Sequence, residues 1–364
     1  FGSDAPNRLR FSRADLLGSD ESNRGEIVRL SQVRGGVAQL TGASGAEEVT
    51  FDLTSSEPAD DDLSMFQFHV IEPDGSESGG IVEVDALPSD SLFGNQWHHG
   101  QLNVTDVWDD YTGQGVTVGF NDHGIEYTHP DLNDNYNTSI DYDYTNNDSN
   151  PYPPSWESHG TAVAGMVGAE RNGTGVVGIA YDATLASYRG FGVRYNVGRE
   201  SHADIINNSW GPAGWASFFY YRFVRGGDRS YESEIETAVT NGRGGLGQII
   251  TFSAGNDRGI DARPEYSNFS GHRHVITVGA TNSGEGDAYF TSRGASVLVT
   301  APGQSVWTTD RVGSRGYSSS SYTSISGTSF SAPATAGVIA LMLEANPDLG
   351  FRDVQEILAY SAVQ

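Results

Sequence analysis

From residue 88 onward the chain carries short runs of consecutive apolar residues, and this pattern restricts the fold more than any other feature of the sequence. Each run is too short for a helix and matches a strand buried on both faces. The runs occupy residues 116–120, 185–188, 205–206, 249–252, 275–278 and 297–299. Helical periods lie between or after several of them, most clearly at residues 334–345 and 351–360. Buried strands that alternate with helices predict an α/β fold with a parallel sheet flanked by helices.

The first 87 residues have a different pattern. Apolar residues alternate with polar ones or form brief runs at residues 26–30 and 65–71, and clusters of Gly, Asp and Ser separate these stretches. Short strands joined by turns produce such a pattern. We therefore predict a small all-β, sandwich-like domain at residues 1–87, followed by the α/β domain at residues 88–364.

The composition excludes several classes of function. The chain has 47 acidic residues against 21 basic ones, all of them Arg, and a net charge of −26, which argues against nucleic-acid binding. The absence of Cys excludes disulfides, Cys-ligated metals and a Cys nucleophile. No apolar run approaches the ~18 residues that a membrane span requires. The chain starts at Phe1, and we expect it to be part of a longer protein with further domains.

Three polar residues at predicted strand and helix ends suggest a catalytic site. Asp122 follows the run at residues 116–120, His159 begins an apolar helix, and Ser329 opens the long helix near the C-terminus. Each residue alone has an ordinary structural explanation, such as a strand end or a helix cap. Their order, Asp then His then Ser with separations of 37 and 170 residues, favours a catalytic triad.

Ordered motifs surround these three residues from about Asp90 to the C-terminus. The motifs occupy residues 122–126, 129–132, 159–161, 209–212, 242–247, 253–256, 327–329 and 352–355. Together they resemble the motifs of subtilisin-like serine proteases, most closely those of the kexin and furin branch. The resemblance implies a subtilisin-like parallel sheet and a secreted serine endopeptidase that hydrolyses peptide bonds through an acyl-enzyme intermediate.

The resemblance also implies a role for each matching residue. Ser329 would attack the peptide carbonyl, His159 would take and return the proton, and Asp122 would orient His159. The side-chain amide of Asn256 would donate to the developing oxyanion. Two segments would grip the substrate backbone as an extended strand. These segments comprise Ser209, Trp210 and Gly211, and Ser253, Ala254 and Gly255.

Two groups of oxygen-bearing residues match calcium sites of the resembled family. The first would use the carboxylates of Asp90 and Asp131, the side chain of Asn172, and the backbone carbonyls of Thr174 and Val176. The second would use Asp143, Asp148 and Asn150. Both groups could instead be ordinary acidic loops of an acidic protein. We therefore predict calcium as the cofactor, with one structural site and a possible second one.

Several acids that kexin-like enzymes use to recognise paired basic residues are replaced in this chain. The resemblance implies that Gly214 and Arg293 would stand in the first specificity pocket, and that His123 and Trp156 would stand near the second basic residue of the substrate. Because a desolvated substrate Arg needs a carboxylate partner, dibasic specificity is in doubt and a broad or apolar-leaning specificity is favoured. Three acids that follow Asn256 could compensate: Asp257, Asp261 and Glu265.

The N-terminal region resembles the cadherin-like repeats of large secreted bacterial proteins. Residues 11–17, 49–52 and 68–76 carry this resemblance. It implies a secreted or cell-surface bacterial protein, and it leaves an alternative open: an inactive or weakly active subtilase-like module of a large adhesin. A nucleotide-binding domain is a third alternative, but the Gly-rich residues 242–247 precede a strand and not a helix, which disfavours it.

Overall fold

The computed structural model describes most of the chain. The described residues are 8–12, 16, 26–34, 36–41, 48–53, 64–71, 77–84, 87–190, 197–211, 229–284 and 286–362. The chain forms two compact units, Phe1–Ser89 and Asp90–Gln364. Their boundary lies two residues beyond the one predicted from the sequence.

The first unit contains two three-stranded antiparallel sheets with the orders β1-β4-β3 and β2-β5-β6. The strands are β1 (Arg8–Ser12), β2 (Glu26–Arg34), β3 (Gly36–Thr41), β4 (Glu48–Leu53), β5 (Ser64–Ile71) and β6 (Glu77–Val84). Ile27, Val49, Phe68 and Val70 are buried. Alternate side chains of a strand point to opposite faces, so Phe68 and Val70 lie on the same face of β5. The cadherin-like resemblance of this unit remains a prediction.

The second unit is built on a seven-stranded sheet whose paired strands all run parallel, with the order β13-β12-β11-β10-β7-β9-β8. The strands are β7 (Thr117–Asp122), β8 (Tyr142–Asp143), β9 (Thr184–Arg189), β10 (Ile205–Asn208), β11 (Ile249–Ser253), β12 (Ile276–Thr281) and β13 (Val297–Pro302). The predicted parallel sheet is confirmed. Antiparallel β14 (Val306–Thr309) and β15 (Tyr322–Ile325) form a separate hairpin that the sequence pattern did not predict.

Helices cover this sheet. They are α1 (Trp97–Leu102), α2 (His159–Gly168), α3 (Val197–Glu200), α4 (Arg229–Asn241), α5 (Thr328–Ala345) and α6 (Phe351–Ser361). The largest apolar cluster includes residues of α2, α5 and the central strands. The predicted helix at residues 334–345 extends six residues further toward the N-terminus. None of the helices in the described residues is long and apolar enough to cross a membrane.

Strand β7 lies in the interior of the sheet, between β9 and β10. The chain leaves β7 toward one side of the sheet to form β8 and β9, and then crosses to the other side to form β10. In open parallel sheets, such a reversal of strand order leaves a crevice at the carboxyl ends of the strands. Asp122 ends β7 and Ser209 follows β10, so both lie at this edge of the sheet.

Candidate active site and calcium sites

Asp122 and His159 form the central pair of the candidate site. The Nδ1 atom of His159 lies 2.9 Å from both carboxylate oxygens of Asp122, which is only 1% exposed. The N–H group of His123 also donates to Asp122 Oδ1 at 2.7 Å. Burial alone would raise the pKa of Asp122, but the charge of His159 and the hydrogen bonds from His123 and His159 hold it well below its usual range. The carboxylate is therefore ionised and orients the imidazole.

Two glycines allow this approach of α2 to β7. A Cβ atom on Gly160 would lie 2.3 Å from the carbonyl oxygen of Gly124, so only glycine lets the start of α2 pack so close to the end of β7. Gly124 has φ +103°, and a Cβ atom on it would lie 2.4 Å from the carbonyl oxygen of Pro151. The Asp-His-Gly and His-Gly segments of the sequence thus have a steric reason for their glycines.

Ser329 is the second residue of α5. Its Oγ donates to the carbonyl oxygen of Ser209 at 3.2 Å, and Ser209 Oγ donates in return to the carbonyl oxygen of Ser329 at 2.8 Å. Pro333 has no N–H group to donate to the carbonyl of Ser329 in the helix, and Ser209 Oγ donates to this carbonyl instead. The ring of Phe330 lies 6.0 Å from that of His159 between centroids, which brings the start of α5 beside this imidazole.

Among the described hydrogen bonds, none joins Ser329 to His159. The hydroxyl of Ser329 must rotate away from Ser209 before it can donate to His159 Nε2. Catalytic hydrogen bonds are often long or misaligned without substrate, so this arrangement is compatible with catalysis.

Asn256 is held by Thr328, the residue before the nucleophile. Asn256 Oδ1 accepts from the N–H of Thr328 at 2.9 Å and from its hydroxyl at 3.0 Å. The same hydroxyl accepts from the N–H of Gly255 at 3.1 Å. Because the amide oxygen is occupied, the NH₂ group of Asn256 remains to donate to an oxyanion. Sequence reasoning assigned Asn256 but missed Thr328, whose signal was its place in the Gly-Thr-Ser motif.

The two predicted substrate walls extend from neighbouring strands. Ser209 follows β10 and Ser253 ends β11, and these strands pair in parallel. Trp210 is buried, and its ring lies 5.3 Å from that of Phe252. Its side chain therefore holds the segment at residues 209–211 by packing in the core. Ala254 is buried and its N–H donates to the carbonyl of Val278, whereas Gly211 is exposed. The segment after Gly211, including Gly214, lies outside the described residues.

The first predicted calcium group is assembled in one place. The carboxylate of Asp90 accepts from the N–H groups of Asn172 at 3.2 Å and Thr174 at 3.1 Å. Asp131 Oδ2 accepts from the N–H of Val176 at 3.2 Å. The loop at residues 172–176 is therefore gathered around both carboxylates.

Asp131 provides the test of whether these residues fit a cation. Its side chain is completely buried, and no described residue donates a hydrogen bond to its Oδ1. Burial is the main cause that raises the pKa of Asp131 to about 7, and the neighbouring Asp90 adds to it. Two buried carboxylates with few compensating charges suit a hard divalent cation with oxygen ligands. The carboxylates of Asp90 and Asp131 thus fit calcium, whereas the side-chain oxygen of Asn172 and the carbonyl oxygens of Thr174 and Val176 stay predicted ligands.

The second predicted group does not fit calcium. Asp143 is completely buried, but Arg189 Nη1 lies 2.6 Å from its Oδ2. Its oxygens also accept from the N–H groups of Thr145 and Asn146 and from the side-chain amide of Asn146. Asp148 and Asn150 lie nearby but accept other hydrogen bonds, from the N–H of Asn150 and from the hydroxyl of Tyr127. The local geometry therefore disfavours this prediction.

Two of the residues that replace the expected acids, His123 and Arg293, have partners of their own. His123 Nδ1 lies 3.4 Å from Asp122 Oδ1 and 3.5 Å from Glu157 Oε2, and its pKa is raised, chiefly by the hydrogen bond with Asp122. Trp156 is 79% exposed. Arg293 pairs with Asp287. Three acids were expected to compensate for the missing ones. Asp261 lies 3.2 Å and Glu265 lies 3.9 Å from Arg263. The backbone N–H of Asp257 donates to the hydroxyl of Ser292.

One buried ion pair was missed by sequence reasoning. Arg311 is 1% exposed, and its Nε donates to Glu126 Oε2 at 2.9 Å. Its Nη1 donates to the carbonyl oxygens of Pro154 at 2.9 Å and Glu157 at 2.7 Å. This guanidinium therefore fixes the backbone of the segment that leads into His159. Its only signal was Glu126, a residue of the motif at residues 122–126 to which no role was assigned from the sequence.

Comparison with known proteins agrees with this geometry. The model of the subtilase family (Peptidase_S8) matches residues 113–364. The chain belongs to the subtilase family. It is 35% identical to neuroendocrine convertase 2 of Drosophila melanogaster over 75% of the chain and 45% of that protein. It is 33% identical to the dibasic-processing endoprotease of Schizosaccharomyces pombe over 75% of the chain and 40% of that protein.

Solved structures give the same fold. This subtilase matches a protease of Pseudoalteromonas arctica with a TM-score of 0.60 and 28% identity, over 76% of this chain and 93% of the other. It matches the serine protease of Aeromonas sobria with a TM-score of 0.59 and 22% identity, over 76% and 58% of the two chains. The chain spans less than half the length of the curated relatives named above.

Proposed function

We propose that this subtilase is a calcium-dependent serine endopeptidase. The observation that carries the proposal is the arrangement at the sheet edge: an ionised, buried Asp122 holds Nδ1 of His159, and Asn256 is braced beside the nucleophile. A hydrogen bond from Nδ1 to Asp122 leaves Nε2 of His159 as the proton acceptor, which general-base catalysis requires.

The proposed reaction proceeds in two stages. Ser329 Oγ attacks the peptide carbonyl while His159 takes its proton, and the NH₂ group of Asn256 donates to the oxyanion that forms. His159 then gives the proton to the leaving amine, and an acyl-enzyme remains on Ser329. Water, deprotonated by His159, hydrolyses this ester and restores the hydroxyl of Ser329.

The substrate is proposed to bind as an extended strand between the segments at residues 209–211 and 253–255. The small residues of these segments favour this mode, because they let an extended peptide approach the backbone closely. Cleavage after paired basic residues, as the name of the fission yeast relative states for that protein, is not favoured here. Arg293 would repel a basic substrate side chain, and Asp261 and Glu265 are engaged with Arg263. We propose a broad or apolar-leaning specificity.

Calcium is proposed to bind between Asp90, Asp131 and the loop at residues 172–176. When bound, the ion would compensate the buried negative charge and hold the loop in place. A secreted or cell-surface location in a bacterium is also proposed. The strong acidity and the N-terminal resemblance support it.

A fluorophosphonate probe tests the proposed nucleophile directly. We expect the wild-type chain, saturated with calcium, to be labelled at one site, and Ser329→Ala to lose all labelling. Cleavage of a proteome-derived peptide library should fall by roughly 10⁶-fold in the same variant, as expected when a triad nucleophile is removed.

Ser331→Ala is a matched control, because Ser331 lies two residues further along α5 and is completely buried. We expect it to remain labelled. Labelling that survives in Ser329→Ala would move the nucleophile elsewhere. A folded wild-type chain with neither labelling nor cleavage would favour the alternative, an inactive subtilase-like module of a larger protein.

A further inference from the structure

The carboxylate of Asp122 lies between two imidazoles, not one. Nδ1 of His159 lies 2.9 Å from it on one side, and Nδ1 of His123 lies 3.4 Å from Oδ1 on the other. The ligand atoms of the three side chains all lie within 4.8 Å of one another. The two rings are nearly perpendicular, with centroids 6.0 Å apart. Three potential donors therefore converge on one point.

This donor set matches the preference of borderline transition metals. Zn²⁺ takes imidazole nitrogens and carboxylate oxygens at about 2.0–2.2 Å in tetrahedral sites, which places neighbouring ligand atoms roughly 3.3 Å apart. Two of the three separations, 2.9 and 3.4 Å, are already close to this value. Calcium prefers oxygen ligands only, so it does not compete well for this site.

The site is also open to a hydrated cation. The side chain of His123 is 32% exposed and that of His159 is 21% exposed, whereas Asp122 is buried. Glu157 Oε2 lies 3.5 Å from His123 Nδ1 and adds negative charge at the entrance. Arg189, a cation close to His123, donates from Nη1 to Asp143 and from Nε to the carbonyl of His123, so its charge is partly compensated.

We propose that Asp122, His123 and His159 form an inhibitory site for Zn²⁺ or a similar transition-metal ion. The ion would bind Nδ1 of His159 in place of the proton that Asp122 holds there, and the neutral imidazole would carry its proton on Nε2 instead. His159 could then no longer be oriented by Asp122 to take the proton of Ser329. Inhibition rests on the proposed function, whereas binding of the ion does not.

No other group of three such side chains in the described parts of the chain has its ligand atoms this close together. His272 and His274 form a pair of rings 5.0 Å apart between centroids, without a carboxylate ligand as close as Asp122 is here. This pair provides a matched control, because it tests whether two neighbouring histidines are sufficient.

Binding is measured first, by titrating Zn²⁺ calorimetrically into calcium-saturated Ser329→Ala, which keeps all three ligands and cannot digest itself. We expect one Zn²⁺ per chain. His123→Asn in the same background should weaken binding at least about tenfold, since even the loss of a group that only supports a ligand costs 10–100-fold. His274→Asn should leave it unchanged. Absence of binding, or equal binding with His123→Asn, would overturn the proposal.

Inhibition is measured second, as the rate at which the fluorophosphonate probe labels Ser329. We expect Zn²⁺ to slow labelling reversibly in the wild-type chain and in His274→Asn, and a roughly tenfold higher concentration to be needed in His123→Asn. His123→Gln serves as a second variant if His123→Asn does not fold. A chain that is not labelled even without Zn²⁺ would contradict the proposed function, while the calorimetric result would still decide the metal site.

Discussion

Two acidic loops of the peptidase unit look alike in the sequence but differ in how their buried charge is compensated. Asp131 and Asp143 are both completely buried. Arg189 lies 2.6 Å from Asp143, whereas Asp131 has another carboxylate, Asp90, among its neighbours and one oxygen to which no described residue donates. The loop around Asp131 is therefore suited to an added cation, whereas the loop around Asp143 already contains a basic side chain.

The comparison shows why acidic residues alone do not identify a calcium site. A buried carboxylate must be neutralised by a proton, a basic side chain or a metal ion. At Asp143 the guanidinium of Arg189 already provides this charge. At Asp131 the raised pKa reflects the same need for neutralisation. No basic side chain is among the groups that shift this pKa.

We expect the largest loss of stability when Arg189, the basic side chain that pairs with Asp143, is replaced. Arg189→Gln leaves Asp143 buried without its positive partner, and breaking a buried pair in this way costs about 3–5 kcal/mol. We expect the free energy of unfolding, measured by urea denaturation with calcium saturating, to fall by this amount. Arg293→Gln is the control, because Arg293 and Asp287 are largely exposed and the loss should stay below about 1 kcal/mol. Equal losses of unfolding free energy in the two variants would mean that the buried ion pair contributes no more to stability than the exposed one.

Removal of calcium is expected to have the next largest effect. An ion present at 100 to 1,000 times its Kd stabilises the folded chain by about 2.7–4.1 kcal/mol, which corresponds to roughly 6–15 °C in Tm. We expect a chelator to lower Tm by this amount in the wild-type chain and to have little further effect on Asp131→Asn. If chelation leaves the wild-type Tm unchanged, Asp131 binds no metal ion, and the proposed difference between the loops around Asp131 and Asp143 is wrong.

We expect the smallest effect in the loop around Asp143, where Arg189 already provides a positive charge. Asp148→Asn keeps the side-chain oxygen that accepts from the N–H of Asn150, so stability should change by less than about 0.5 kcal/mol. The Tm difference between calcium and chelator should equal that of the wild-type chain. A reduced calcium response in this variant would show that the ion binds here after all.

Much of the fold and the centre of the site could be predicted, because their signals are local. The apolar runs predicted the parallel strands, and Asp122 and His159 were found from their places at a strand end and a helix start. Ser329 and Asn256 were likewise found from short motifs. The residues that make up one such motif are neighbours in the chain, so the motif can be recognised without knowing the topology of the sheet.

The partners that complete the site could not be predicted, because they come from distant parts of the chain. Arg189 lies 46 residues from Asp143, and Thr328 lies 72 residues from Asn256. Arg311 lies 185 residues from Glu126. Such pairs are decided by the order of strands in the sheet, which no local pattern encodes. The calcium prediction at Asp143 shows the result: the acids were visible, but the compensating Arg189 was not.

The anchoring of the segment before His159 has a consequence for engineering. Arg311 holds this segment through the carbonyl oxygens of Pro154 and Glu157, which every amino acid possesses. The side chain of Trp156 between them is 79% exposed and takes no part in this anchoring. A substitution at position 156 therefore leaves intact the contacts by which Arg311 holds the backbone before His159.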